Sequence, residues 1–372
     1  MPVRLDVGRA VLPGGVVAPA SVLVEHGLVV AAGAPASVGE VAGASVVARP
    51  DLLGVPGFVD LQVNGAAGVD FGRPGGADWD AVSELLAATG VTACCPTIPS
   101  APPDAYGPAL DALGAWASRA GGGADGMGRP RVLGVHLEGP FLNPARRGAH
   151  PPEVLANPDP GWVSQWLDGP VPVAIVTLAP ELTGASEVVR FLAGRGVVVS
   201  AGHTEASYER MVAFVGEGGS MVTHLFNGQA PLHHREPGVV GAALALDGLS
   251  VGIILDGVHV HEGVAAAALR SMGERGFVVT DAVAGPERLA DGTLAGSHLS
   301  MDDAFRRAVR LLGLARAVEV CGTTPARAVG RPDLGVLAPG AAADLVLLDD
   351  DLSVVDVWVA GAGPGERSTG AS

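Results

Sequence analysis

The chain has 372 residues, enough for one large domain and a smaller companion, and 48% of them are hydrophobic, so a sizeable core can form. Its formal charge is −16 and all 23 basic residues are arginine, which opposes nucleic-acid binding and excludes Schiff-base lysines, P-loop phosphate binding and any metal site built on a modified lysine. The opening MPVRLDVGRAVLPGG holds no signal-peptide run, no stretch is long enough to span a membrane, and Cys94, Cys95 and Cys321 make no disulfide framework or Cys-x-x-Cys site, so a reducing cytoplasm is expected.

The first fifty residues are short Val-rich runs broken by Gly and Pro, such as VRLDVGRAVL and ASVLVEHGLVVAAG, and read as short antiparallel strands. Near the C-terminus, AADLVLLDDDLSVVDVWVAG repeats the style. Residues 1–55 and 336–372 are therefore expected to form a small β-sandwich domain built from both chain termini. Between them, β-branched runs alternate with Ala/Leu-rich amphipathic stretches such as DWDAVSELLAATG and SEVVRFLAGRG. The strand candidates are 57–64, 91–98, 131–138, 171–179, 197–203, 221–226, 250–257 and 277–283. Buried strands separated by helices imply a parallel sheet. Eight such units over 56–335 predict an α/β protein with a (β/α)8, TIM-like barrel. An open doubly wound sheet is the rival, but no G-x-G-x-x-G follows any strand. GRPGGADWD and AGGGADGMGRP read as flexible connections.

Barrels of this kind carry their chemistry at the C-terminal ends of the strands. Strand 1 ends in Gln62 and Asn64, strand 3 in His136 and Glu138, strand 5 in His203 and strand 6 in His224 and Asn227. Strand 7 ends in Asp256, His259 and His261, and strand 8 in Asp281. Glu138, His203 and His224 make a set of two imidazoles and one carboxylate, a catalytic zinc set with a position left for water. The alternative is a rim of hydrogen-bonded histidines without metal. Asp281, directly after an apolar strand, is the candidate general base; the alternative is an Asp that caps the next loop. His136 is expected to face the barrel wall, a register step away from Glu138.

The segments PGFVDLQVNGAAGVDF, GVHLEGPFLNPARRGAH, SAGHTEAS, THLFNGQAPLHHREPGVVGAAL, GIILDGVHV and VTDAVAG, in this order and spacing, resemble the N-acetylglucosamine-6-phosphate deacetylase family of the amidohydrolase superfamily. The resemblance runs from strand 1 to strand 8. It implies metal ligation by Glu138, His203 and His224, and acid/base catalysis by Asp281. It implies that His150 touches the substrate near the acetamide and helps polarise its carbonyl. Gln62, Gly139, Asn227, Gly228, Arg235 and His259 would be further substrate contacts, Arg235 and His259 toward the phosphate. The alternative for Arg235 is an ion pair with Glu236. One divalent metal per subunit, zinc by expectation, would serve hydrolysis of an amino-sugar phosphate. A homodimer would bring Arg235 across from the neighbouring subunit.

Many metal-dependent hydrolases end strand 1 in His-x-His, whereas this chain has Gln62 and Asn64. Within the resembled family some members carry Gln-x-Asn and work with one metal, so the expected loss is of a second ion. Gln62 is expected to bond a water in the vacant position, and Asn64 to brace the neighbouring loop. LNPARRGAH, bounded by Pro and Gly, is a candidate lid. Rival readings are the galactosamine isomer as substrate, another amidohydrolase chemistry, or a non-catalytic sugar-phosphate scaffold.

Overall fold

The computed structural model describes residues 1–119 and 128–363. Most of the connection expected at 120–130, and the terminal residues 364–372, lie outside the described residues. The Val-rich N-terminal runs form β1 (Val3–Leu12), β2 (Gly15–Val17), β3 (Ala20–Glu25), β4 (Leu28–Gly33) and the long β5 (Ser45–Pro56). After Gly57 the chain enters β6 (Phe58–Val63), the first barrel strand. A side chain at Gly57 would place its Cβ 2.1 Å from Thr92 Oγ1, so only glycine lets the two strands join here.

A small hairpin, β7 (Gly65–Ala66) with β8 (Val69–Asp70), follows at the barrel mouth. The remaining barrel strands are β9 (Val91–Pro99), β10 (Arg131–Val132) leading into β11 (Val135–Glu138), β12 (Val173–Leu178), β13 (Val198–Ala201), β14 (Met221–Val222), β15 (Ser250–Ile254) and β16 (Gly276–Val279). Each pairs in parallel with the next, and β6 pairs with β9. The ring closes where Asp281 N donates to Gln62 O at 2.8 Å and Asn64 N to Ala282 O at 2.7 Å. Barrel strands buried on both faces need helices outside, and a helix follows each of the eight: Trp79–Ala88, Pro103–Ala117, Pro160–Leu167, Ala185–Ala193, Tyr208–Gly216, Gly238–Ala245, Glu262–Met272 and Met301–Leu312. Several start at side-chain caps, for example Asp78, whose Oδ1 accepts from the amides of Asp80 and Ala81.

The chain returns as β17 (Leu345–Leu348) and β18 (Val354–Trp358), which extend the terminal sheet through β5. The sheet runs β18-β17-β5-β1-β3-β4, with β2 on β1. Val29 N donates to Ala341 O, and Ala343 N to Gly27 O, so the β4 edge meets the segment that leads into β17. The sheet thereby encloses a core of its own, including Leu5, Val22, Val24, Leu345, Leu347 and Trp358. Its other face carries Val55, Val346 and Leu348 into the core shared with the barrel.

The strands match the expected runs with one systematic difference. β13, β14, β15 and β16 stop short of His203, His224, Asp256 and Asp281. For three of these residues the backbone gives the reason: φ is +48° at His203, +24° at His224 and +51° at Asp281. Extended pairing cannot continue through a left-handed residue, and each such non-glycine conformation costs about 1–3 kcal/mol. The strain falls where the chain turns side chains into the barrel mouth.

Candidate metal and hydrolytic site

Glu138, at the last position of β11, points Oε1 at the Nε2 atoms of His203 (3.2 Å) and His224 (2.8 Å). The two Nε2 atoms are 3.2 Å apart. All three side chains are buried. The Nδ1 of His203 lies 2.8 Å from the carbonyl oxygen of Arg146, an acceptor only. Its ring proton therefore sits on Nδ1, and a neutral ring presents a lone pair at Nε2. A single proton can satisfy only one edge of this triangle. A divalent ion satisfies all three corners, and ligands about 2.0–2.1 Å from a tetrahedral zinc stand about 3.3 Å apart, close to the edges seen. A carbonyl behind one ligand is also how metal-bound imidazoles are oriented. The residues fit a divalent metal.

His150 lines the same corner, and Glu138, His150 and His203 bring ligand atoms within 4.8 Å of one another. His150 is nevertheless a poor ligand. Ser100 N donates to its Nδ1 at 3.3 Å, so the ring hydrogen is on Nε2, 4.0 Å from Glu138 Oε2. Burial, with the neighbouring His203 second, drives the His150 pKa down to about 3. The ring is thus a neutral N–H donor aimed into the site.

Asp281 is joined to Glu138 through Gln62. Gln62 Nε2 donates to Glu138 Oε1 at 3.2 Å and to Asp281 Oδ1 at 3.1 Å, and Asn64 Nδ2 donates to the same Asp281 oxygen at 2.7 Å. Burial, and then the charge of Glu138, raise the Asp281 carboxyl to about 6. That value suits a group that takes and returns a proton near neutral pH. The structure corrects the expected roles of the two amides. Both Nε2 hydrogens of Gln62 are committed to carboxylates, and the Asn64 side chain holds Asp281 instead of a loop.

A cavity of about 660 Å³ opens over this corner. Glu138, His150, His203, His224, Asn227, Gly228, His259 and Asp281 line it. Gly228 has φ +60°, and a Cβ there would sit 2.7 Å from His203 Nδ1, so the backbone can press on the His203 ring only as glycine. His259 Nδ1 is 2.6 Å from Asp256 Oδ2, which orients its ring. Three expected substrate contacts do not line the cavity. Gln62 is buried behind the two carboxylates, and Gly139 packs so tightly under Ser100 that a Cβ would lie 2.2 Å from its Oγ. Arg235 is on an exposed loop, where its Nη1 meets His234 Nε2 at 3.0 Å; among the described residues it makes no ion pair, with Glu236 or otherwise.

His136 also departs from expectation. Residues two apart on a strand share a face, so it lies inside the barrel beneath Glu138. Its Nδ1 donates to Leu61 O at 3.0 Å and its Nε2 meets Thr177 Oγ1 at 2.7 Å, while burial lowers its pKa to about 4. The loop 143–150 is pinned at several points: Asn143 N donates to His203 O, its Nδ2 to Glu181 Oε1 at 2.9 Å, and Arg146 pairs with Glu205 at 3.1 Å. A lid motion would have to break these bonds. Sequence reasoning missed Ser100 and Asp60. The strand-end rule applied to strand 2 would have found Ser100, and the period-2 alignment of Asp60 with Gln62 and Asn64 was the signal for Asp60.

With this site at the mouth of this barrel, the class is defined. A model of the amidohydrolase family matches residues 54–362, and the chain belongs to that family. It is 36% identical over 344 residues to an N-acetylglucosamine-6-phosphate deacetylase of Danio rerio, covering 82% of this chain and 83% of that one. It is 38% identical over 332 residues to an N-acetylgalactosamine-6-phosphate deacetylase of a Shewanella strain, covering 82% of each. The crystal structure of N-acetyl-D-glucosamine-6-phosphate deacetylase from Mycobacterium smegmatis superposes with a TM-score of 0.85 at 32% identity, over 97% of this chain and 100% of the other.

Proposed function

We propose that the protein hydrolyses N-acetyl-D-glucosamine 6-phosphate to glucosamine 6-phosphate and acetate. The observation that carries this reading is the convergence of the Glu138–His203–His224 corner, the Asp281 carboxyl and the His150 N–H on one cavity. Glu138, His203 and His224 would hold one divalent ion per subunit, zinc by expectation, which would supply Lewis acidity toward water and the acetamide carbonyl. Asp281, ionised, takes a proton from the attacking water. His150 Nε2–H donates to the carbonyl oxygen as negative charge gathers there. Asp281 then gives its proton to the departing amine nitrogen. Acetate release from N-acetylglucosamine 6-phosphate by metal-loaded protein tests the reading, and absence of turnover with any divalent ion would overturn it. His150→Asn is expected to lower kcat about 10²–10³-fold with little change in KM, as loss of one oxyanion donor does.

The phosphate is assigned to His259, the backbone near Asn227 and Gly228, and Arg235 from a second subunit. Leu232, three positions before Arg235 on the same loop, is exposed, in keeping with a homodimer that covers this loop. Arg235→Ala should raise KM for the phosphorylated substrate about 10–100-fold, the equivalent of one charge-assisted contact worth about 1.5–3 kcal/mol. Mixing Arg235→Ala with Asp281→Asn subunits should recover activity, because mixed dimers contain one complete site. If the mixture stayed as weak as its parts, Arg235 would not act across the interface. A second substrate, the 4-epimer N-acetylgalactosamine 6-phosphate, is favoured by the Shewanella relative, and parallel kcat/KM measurements decide between them. The cytoplasm is the proposed location, since all three cysteines are unpaired and buried.

A further inference from the structure

Asp60 is the one carboxylate in the interior of β6, only 1% exposed. Burial raises it to about 7, and among the described residues no cation reaches it. An uncompensated buried acid is a costly way to fill a strand. Its hydrogen bonds indicate what it does. Oδ1 accepts from Gln62 N at 3.2 Å and from Thr280 N at 3.3 Å. Oδ2 accepts from the Thr280 hydroxyl at 2.5 Å. The same Thr280 oxygen accepts from Ala282 N at 3.2 Å, so it bridges past Asp281 to the residue beyond. Between these fixed points Asp281 adopts φ +51°. A residue in that region persists only when its surroundings over-determine it.

We propose that Asp60 is a positioning residue for Asp281, acting through Thr280. The clasp holds the backbone on both sides of Asp281 and fixes Gln62, whose side chain donates to the same carboxylate. Without it, Asp281 relaxes toward ordinary backbone angles and its carboxyl leaves the line between water and the amine nitrogen. A displacement of about 1 Å in a reacting group can cost about 10²-fold. The inference rests on the deacetylase reading above.

The test compares metal-loaded wild type, Asp60→Asn, Thr280→Val and Thr280→Ser on N-acetylglucosamine 6-phosphate and on its N-trifluoroacetyl analogue. The trifluoromethyl group activates the carbonyl, so attack depends less on a well-placed base. Asp60→Asn and Thr280→Val should lower kcat on the acetyl substrate about 10–100-fold, within the range of misplaced general-base catalysis. On the trifluoroacetyl substrate they should lose less, so the ratio of the two rates rises about tenfold. Thr280→Ser keeps the hydroxyl and should restore the wild-type ratio. Equal losses on both substrates, as from partial unfolding, would overturn the proposal, as would unchanged kcat. If Asp60→Asn fails to fold, the Thr280→Val and Thr280→Ser pair still decides. A wild-type chain that hydrolyses neither substrate removes the deacetylase reading, and this inference with it.

Discussion

Asp281→Asn is expected to lower kcat about 10³-fold, a barrier increase of about 4 kcal/mol, while the metal content stays unchanged. The amide keeps the size of the carboxyl and can still meet Gln62 and Asn64, but it cannot accept the proton of a water and pass it to nitrogen. The acid limb of the wild-type profile should belong to the same group. Burial and Glu138 raise Asp281 to about 6, and only its ionised form is a base, so kcat/KM should fall as pH drops through that range. A divalent ion favours the ionised form, which places the limb of the loaded enzyme at or below pH 6. Acetate release across pH 4.5–8 measures both points. Substantial turnover by Asp281→Asn would remove Asp281 from the reaction.

Glu138→Gln should lose the metal during desalting and with it the activity. The substitution removes the only negative corner of the His203–His224–Glu138 triangle and leaves an amide, a weak ligand beside imidazoles. Its N–H would also face Nε2 lone pairs. Mass spectrometry of the intact protein should find one ion on wild type and none on the variant, and added zinc should restore chelator-treated wild type alone. An ion retained tightly by Glu138→Gln would mean that another set of ligands, such as one including His150, holds it. Two tightly held ions on wild type would contradict the donor roles of Gln62 and Asn64.

Much of the molecule was legible from local pattern. The Val-rich ends pair as β1–β5 with β17 and β18, and the alternation of β-branched and Ala/Leu-rich runs became eight strands and eight outer helices. Glu138, His203, His224 and Asp281 fell at strand ends because a parallel barrel turns those positions into its mouth. His136 was misjudged because its register was read singly, although period-2 spacing puts it on the face of Glu138. Arg235 lies on an exposed loop outside this chain's own cavity, a placement its residue pattern does not reveal.

The sequence by itself determined which chemical groups stand at the end of each strand, because hydrophobic period and strand length are properties of neighbouring residues. Only the tertiary structure decided what those groups can do. Gln62 meets Asp281 across 219 positions of chain, His203 shows its Nε2 because a carbonyl 57 positions away accepts the hydrogen bond of its Nδ1–H, and Asp60 reaches Thr280 across 220. Proton placement, carboxylate bridging and the strained turn at Asp281 depend on which donor meets which acceptor, and that is fixed when the barrel closes.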